Sequence, residues 1–108
     1  MTKVIFRKWK NGAGIIALFP EIPEDSFGSF CTSYEHVGQH GGAYYEGCIR
    51  CSSPATVLEY AELFKELVKI GYADLVVISR APPDHAYRRA QEAAKRLMDD
   101  ENGEDNVK

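Results

Sequence analysis

Two short runs of strand-favouring residues open the chain, and a turn separates them. Val4–Trp9 and Ile15–Phe19 are rich in β-branched and aromatic side chains, which pack well on a pleated surface. Asn11-Gly12 lies between the runs, and this dipeptide is typical of tight hairpin turns because their central residues need positive φ. Pro20 has no amide hydrogen and ends the second run. The pattern therefore predicts a β-hairpin over residues 3–20.

The middle of the chain has weaker periodicity. Phe30–Tyr34 and Tyr44–Arg50 are each compatible with a short strand. Three glycines lie within residues 38–42, and glycine disfavours both helix and strand because it loses the most backbone freedom on folding. The sequence therefore predicts a glycine-rich loop between these two strands.

A helical period begins after Pro54. Thr56 and Glu59 match the capping-box pattern, in which each side chain bonds the other residue's backbone amide. Apolar residues then recur at helical spacing as far as Ile70, and Gly71 follows as the expected C-terminal glycine. We predict a helix over residues 57–70.

The last part of the pattern predicts a buried strand and a second helix. The strand is Leu75–Ser79, and Pro82-Pro83 ends it. The helix begins near Asp84 and runs to residue 98. Its expected apolar stripe is Ala86, Tyr87, Ala90, Ala93, Ala94, Leu97 and Met98.

Strands followed by helices are typical of the α+β class. We expect a small, mostly antiparallel sheet, built from the N-terminal β-hairpin plus two or three further strands, with two helices packed on one face. Residues 1–98 form a single domain in this interpretation. Residues 99–108 carry five acidic side chains and one basic side chain, a composition that predicts a disordered acidic tail.

Composition narrows the class of protein. The 108 residues have a net charge of −3, but residues 1–98 hold 12 basic and 11 acidic side chains. Domains that bind nucleic acid non-specifically are usually clearly basic, and this one is nearly neutral. No apolar run approaches the roughly 18–20 residues of a membrane span, and no signal peptide is recognisable. Three cysteines, an odd number, favour a reducing compartment, so we expect a cytoplasmic protein.

Glycines, histidines and tyrosines between residues 33 and 45 form the first candidate site. Glycine lets a ligand approach the main chain, histidine exchanges protons near neutral pH, and tyrosine offers a stacking face with a hydroxyl. This combination favours binding of a nucleotide, a small phosphorylated molecule or a polar peptide, and the alternative is a surface loop that covers the sheet edge. The expected ligand-binding residues are Tyr34, His36, Gln39, His40, Tyr44 and Tyr45.

A zinc site is the second hypothesis. His36, His40, Cys48 and Cys51 have spacings that allow each pair to reach one zinc ion. On a strand, however, positions 48 and 51 face opposite sides of the sheet, and cysteines commonly act as small apolar residues. The metal-free interpretation is favoured, and the sequence predicts no cofactor.

A basic, aromatic strand is the third candidate. Alternation places Arg7 and Trp9 on one face of the first strand and Lys8 and Lys10 on the other. Such a surface can bind single-stranded nucleic acid by stacking and phosphate contacts, and the alternative is an edge strand whose lysines prevent aggregation.

A catalytic role has less support. The chain has no G-x-S-x-G nucleophile motif. A thiolate pair of Cys31 with His40 is the remaining option, and a cysteine near a histidine is common by chance. The sequence therefore favours binding over catalysis.

Three stretches of the chain carry a resemblance to other proteins: Val4–Lys10, Ile15–Glu21 and Ser33–Gly41. Over residues 3–79 the chain resembles a family of small uncharacterised proteins of bacteriophages, prophages and other bacterial mobile elements. The resemblance implies a cytoplasmic accessory protein without a familiar cofactor. Cys48 and Cys51 are not part of the family's pattern, which weakens the zinc hypothesis because a structural metal needs all its ligands.

These observations combine into one functional expectation. We expect a small non-catalytic binding protein that engages a small molecule or a host protein through residues 33–45, as a monomer or homodimer without membrane contact. The alternative is a nucleic-acid-binding module that uses the N-terminal hairpin.

Overall fold

A computed structural model describes residues 1–36 and 39–107, including every side chain in these ranges except those of Gln39 and residues 100–107. The strands are β1 (Thr2–Trp9), β2 (Ile15–Pro23), β3 (Cys31–Glu35), β4 (Gln39–Ala43), β5 (Ser52–Pro54) and β6 (Leu75–Val77). The helices are α1 (Tyr45–Arg50), α2 (Val57–Ile70) and α3 (His85–Val107).

The strands of the described residues form one sheet in which β1 is central. The strand order is β4-β3-β2-β1-β5, and β6 also pairs with β1. Along one edge of β1, residues 2–4 pair with β6 in parallel and residues 7–9 pair with β5 in antiparallel orientation. The remaining neighbours are antiparallel. The predicted α+β class with a mostly antiparallel sheet is confirmed.

The N-terminal hairpin has the predicted strands and turn. Ile5 pairs with Leu18 across β1 and β2. The Trp9 amide donates to the Gly14 carbonyl at 2.9 Å, which closes a loop longer than two residues. Gly12 within that loop has a φ of 81°, a conformation that L side chains rarely adopt. The turn glycine is therefore required by the backbone itself.

The glycine-rich segment is a strand rather than the predicted loop. β4 pairs with β3 in antiparallel register, with Tyr34 opposite His40 and Ser33 opposite Gly41. The Ser33 hydroxyl also donates to the Gly41 carbonyl at 3.0 Å. Pairing with β3 overrides the weak strand propensity of glycine, because propensity is a small term beside a continuous ladder. Val37 and Gly38 lie outside the described residues.

The segment after β4 is a short helix, whereas the sequence predicts a strand over residues 44–50. The Cys48 amide donates to the Tyr44 carbonyl at 3.0 Å. Tyr45, Cys48 and Ile49 all pack into the same core, and their spacing of three and four residues is that of a helix face. This spacing is visible in the sequence and could have indicated a helix here instead of a strand.

Two hydrophobic cores cover the two faces of the sheet. The first contains Val4, Phe6, Ala17, Phe19 and Tyr34 together with Leu63 and Leu67 of α2. The second contains the alternate strand residues Ile5, Ile16, Leu18, Cys31 and Ala43, with Tyr45 of α1 and Ala81. The His85 ring at the start of α3 lies 4.4 Å from the Tyr45 ring, centroid to centroid. Helices therefore lie on both faces, and not on one face as expected, because β1 and β2 are apolar on both sides.

The second helix begins as predicted. The Thr56 hydroxyl accepts from the Glu59 amide at 3.3 Å, and the Glu59 carboxylate accepts from the Thr56 amide at 2.9 Å. Gly71 follows the helix with a φ of 128°. The predicted capping box and terminal glycine are confirmed.

The third helix differs from expectation in its buried face and its length. Among its described side chains, up to Asp99, the helix buries His85, Arg89 and Ala93, a spacing of four, whereas Tyr87, Leu97 and Met98 of the predicted stripe are exposed. Its backbone remains helical to Val107, because each residue added to a formed helix gains one hydrogen bond. Disorder of residues 99–108 stays a prediction. Among the described residues, no helix has the length and apolar content that crossing a bilayer requires.

Candidate functional site

His40 joins β4 to the segment that follows α2. Its Nε2 lies 3.1 Å from the Tyr72 hydroxyl oxygen, and its ring meets the Tyr34 ring edge-on at 4.7 Å between centroids. Tyr72 in turn stacks on Phe19 at 4.9 Å. Burial, with the charge of Glu24, raises the pKa of Tyr72, so this hydroxyl stays protonated. The contacts fix the position of β4 relative to the first core.

His36 lies at the tip of the same hairpin, against α2. Its Nδ1 is 3.3 Å from Oε2 of Glu66. An open cleft of about 360 Å³ beside it is lined by Ile15, His36, Glu59, Glu62 and Leu63. A hydrogen bond from Lys8, helped by the Thr56 amide, lowers the pKa of Glu59 to about 2. Two carboxylates, Glu59 and Glu62, thus line this cleft, and Glu59 is paired with Lys8.

The tyrosines that follow β4 are separated from these histidines. Tyr45 is buried in the second core, and its hydroxyl accepts from the Ala81 amide at 3.2 Å. Tyr44 precedes α1 and is 53% exposed. The side chain of Gln39 lies outside the described residues. The structure thus brings Tyr34, His36 and His40 to the α2 side but does not gather all six predicted residues around one pocket.

The outer edge of β4 is open among the described strands, because β4 is the last strand in the order and pairs with β3 alone. Its sequence, Gln-His-Gly-Gly-Ala, has no proline, lysine or acidic residue. Native proteins usually protect sheet edges with charges, prolines or bulges. Phe30 and Tyr44 are exposed, and a Cβ on Gly42 would lie 3.0 Å from Cγ of Glu24 and 3.6 Å from Cβ of Phe30. We call residues Gln39–Ala43 the β4 edge.

The four residues of the zinc hypothesis do not meet. His40 contacts Tyr34 of the first core, whereas Cys48 packs against the second core on the opposite face and Cys51 is exposed. Among the side chains of residues 1–36 and 40–99, no group of three or more His, Cys, Asp or Glu residues has an arrangement suited to a metal. The backbone path therefore separates the pairs that sequence spacing connects.

The proposed thiolate pair is also separated. Cys31 lies in the second core, on the face of the sheet opposite His40. Burial raises the pKa of the Cys31 thiol to about 11. A thiol in that state is a weak nucleophile at neutral pH.

The basic residues of β1 have internal partners. Arg7 is buried: its Nε donates to the Ser52 hydroxyl at 2.9 Å, and its Nη2 donates to the carbonyls of Ile49 and Ser52. Lys8 forms a 2.7 Å ion pair with Glu59. Arg7 therefore attaches the end of α1 and β5 to the central strand, a role that sequence alternation could not show.

A second cleft lies at the tip of the β1–β2 hairpin, beside the end of α1. It has a volume of about 570 Å³ and is lined by Trp9, Lys10, Asn11, Ala13, Arg50 and Cys51. We call it the tip cleft. Trp9 Nε1 donates to Oε2 of Glu35 at 3.2 Å, and Lys10 Nζ donates to the Arg50 carbonyl at 3.2 Å. Both ionised groups of this lining are cationic.

Sequence reasoning missed a buried pair on α3. Arg89 is 4% exposed, and it donates to the Gly28 carbonyl at 2.7 Å and the Pro20 carbonyl at 2.8 Å. Its Nη1 also lies 3.1 Å from Nδ1 of His85. Burial, and then the charge of Arg89, lowers the pKa of His85. The neutral imidazole therefore accepts a hydrogen bond from the guanidinium, and the pair connects α3 to the loop between β2 and β3.

Comparison with protein-family models, with curated proteins and with solved structures gave no match to this chain.

Proposed function

We propose that this protein is a non-catalytic binding protein whose β4 edge accepts an extended strand of a partner protein. The observation that carries the proposal is the outer edge of β4, which is unpaired among the described strands and whose own residues include no Asp, Glu, Lys or Arg. In strand addition, main-chain hydrogen bonds supply affinity and the neighbouring side chains supply specificity.

The shape of the edge suits close backbone approach. Gly41 has only the Ser33 hydroxyl near its missing Cβ, so a partner strand is not crowded there, whereas Glu24 and Phe30 lie against Gly42. Phe30 and Tyr44 lie exposed near that edge. Aromatic side chains of this kind provide large contact areas at low entropic cost.

The edge is also held in place before binding. β4 pairs with β3 over its whole length, the His40 ring nitrogen Nε2 lies 3.1 Å from the Tyr72 hydroxyl, and the Gly41 carbonyl accepts from the Ser33 hydroxyl. A preorganised strand loses little conformational freedom when a partner adds to it. The fixed position therefore favours association.

The magnitude of the backbone contribution sets a limit on affinity. A strand of this length offers about five outward amide and carbonyl groups, each giving a net of roughly 0.5–1.5 kcal/mol when paired. A micromolar complex requires about 8 kcal/mol. We therefore expect exposed aromatic residues beside the edge to supply part of the binding energy.

The biological setting of this proposal comes from the sequence. The resemblance of residues 3–79 to small phage and mobile-element proteins supports a cytoplasmic accessory protein that binds a protein of the bacterial host. The nucleic-acid alternative has weaker support, because Arg7 is buried and donates to Ser52, and Lys8 is paired with Glu59.

Photo-crosslinking in the producing cell tests the proposal. A benzophenone side chain replaces Tyr44, beside the edge, or Tyr87, an equally aromatic and exposed position on α3. We expect the Tyr44 position to give a discrete crosslinked protein that the Tyr87 position does not give. The same products from both positions, or none from Tyr44, would contradict the proposal.

Affinity for the crosslinked protein then tests the strand edge itself. Gly41 tolerates a larger residue, because a Cβ there meets only the Ser33 hydroxyl, at 3.8 Å. We expect Gly41→Lys to weaken binding at least tenfold and Ser53→Lys, on exposed β5 at the far side of the sheet, to leave it unchanged. Equal affinities of the two variants would remove the β4 edge as the binding surface.

A further inference from the structure

We infer that the tip cleft binds a small anionic ligand that carries a flat aromatic ring, the chemistry of a nucleoside phosphate. This inference is independent of the β4 edge, since the cleft lies between the β1–β2 turn and the end of α1, and its lining includes no residue of β4 and neither Phe30 nor Tyr44. Its volume of about 570 Å³ falls within the range of roughly 300–1,000 Å³ usual for small-molecule sites.

Trp9 supplies the wall against which a ring can stack. One edge of the indole is fixed by the 3.2 Å hydrogen bond from Nε1 to Glu35, and the side chain also packs against the second core. An indole held in this way has its orientation set before a ligand arrives. Stacking on aromatic faces is tolerant of the ring's identity, because every base has a π-face.

The charged groups of the cleft favour an anion. Among the described residues, the Arg50 guanidinium has no hydrogen-bond or ion-pair partner, and its side chain is exposed. The Lys10 ammonium, which donates to the Arg50 carbonyl, is a second cation in the lining. No carboxylate lies among the lining residues. A planar guanidinium with free donors is suited to bidentate contact with a phosphate or carboxylate.

The turn adds a polar group of the right kind. The side-chain oxygen Oδ1 of Asn11 accepts a hydrogen bond from the Ala13 amide at 2.9 Å. The side-chain NH₂ of Asn11 is therefore the group that can donate to a ligand. Trp9, Arg50 and Asn11 thus offer a stacking face, a cation and a neutral donor around one cleft. A nucleoside phosphate carries the complement of all three: a flat base, an anionic phosphate and carbonyl or ring-nitrogen acceptors.

The single tryptophan of the chain makes the test direct. Adenosine monophosphate is titrated while Trp9 fluorescence is recorded, with adenosine and inorganic phosphate as separate probes for the ring and the charge. We expect saturable quenching by the monophosphate and binding at least tenfold weaker by either fragment. Absence of a saturable change, or equal binding of inorganic phosphate alone, would overturn the inference.

Two arginine variants separate a site from a general charge effect. We expect Arg50→Gln to weaken the monophosphate at least tenfold and Arg80→Gln, an exposed arginine outside the cleft, to have no effect. Neither side chain has a partner among the described residues, so thermal unfolding should be unchanged in both. Equal weakening by both variants would overturn the inference, since the interaction would then be non-specific attraction.

Cys51 gives a readout that does not depend on fluorescence. Its exposed thiol lies in the cleft lining, so bound monophosphate should slow its alkylation by iodoacetamide, and unchanged alkylation under saturating ligand would count against the site. A 5′-phosphorylated tetra-deoxyadenylate then distinguishes the source of the ligand. Tighter, salt-sensitive binding of the oligonucleotide indicates a strand end, and binding no tighter than the monophosphate indicates a free nucleotide.

Discussion

Replacement of Arg89 by methionine should cause a large loss of stability. The guanidinium donates to the carbonyls of Gly28 and Pro20 at 2.7 and 2.8 Å and lies 3.1 Å from Nδ1 of His85. Each bond to a charged group contributes about 1.5–3 kcal/mol, and methionine keeps the alkyl packing while it removes every donor. Relief of the buried charge offsets part of this, and we expect a net loss of about 3–5 kcal/mol.

That loss is large for a domain of this size, whose total stability is expected to be about 5–15 kcal/mol. The adjacent residue provides the matched control. Arg88 makes ion pairs with Asp84 and Glu21, but its side chain is 47% exposed. Solvent screens such pairs, so Arg88→Met should lose only a small fraction of what Arg89→Met loses.

Urea unfolding followed by far-ultraviolet circular dichroism measures both variants. We expect the midpoint for Arg89→Met to fall well below that of the unsubstituted protein, with an unchanged m-value, and the midpoint for Arg88→Met to move little. If the two variants unfold at the same urea concentration, the bonds from Arg89 to the β2–β3 loop do not stabilise the fold as we argue.

Three further predictions follow from the same geometry. Gly28→Ala should destabilise by several kcal/mol, because a Cβ there would lie 2.9 Å from Ala90 Cα, whereas Gly12→Ala, also at positive φ but in open space, should cost about 1–2 kcal/mol in thermal unfolding. Because the pKa of His85 is lowered in the folded state, the unfolded chain binds its proton first. The stability that comes from the neutral His85 should be complete above pH 6.5, the ordinary pKa of histidine, and should decline as the pH falls below it. In His85→Gln the urea midpoint should therefore change less between pH 7.5 and pH 5.5 than in the unsubstituted protein. Under native conditions iodoacetamide should modify exposed Cys51 first and spare buried Cys31, with mass spectrometry of the intact protein as the assay, and rapid labelling of Cys31 would contradict its burial.

Short sequence patterns were sufficient to predict the elements that are held together by neighbouring residues. The capping box of α2 joins residues three positions apart, and the β1–β2 hairpin is set by its turn between Trp9 and Gly14, so the sequence predicts both. Alternation along β1 also placed Arg7 and Trp9 on one face correctly. In each case the spacing of residues along the chain indicates directly which type of element they form and which face they share.

The remaining features depend on distant partners. β4 is a strand because β3 offers a ladder to glycines that alone favour a loop. Arg89 is buried because the carbonyls of Pro20 and Gly28 lie beside it, more than 60 residues away in the chain. The residues of the predicted histidine and tyrosine site lie on two faces of the sheet for the same reason. α1 places Tyr45 in the second core, on the face opposite the one where His40 contacts Tyr34. No window of local sequence contains that information.

The central position of β1 has a consequence for how the chain folds during synthesis. β1 leaves the ribosome before the other strands of the sheet and can form its hairpin with β2 early, but residues 2–4 meet their parallel neighbour only when residues 75–77 have emerged. Until then half of that edge stays open to any other strand nearby. Contacts of such long sequence separation slow folding, so we expect the nascent chain to depend on chaperones until β6 has emerged, and shortening the chain before Leu75 should produce aggregation rather than a smaller folded domain.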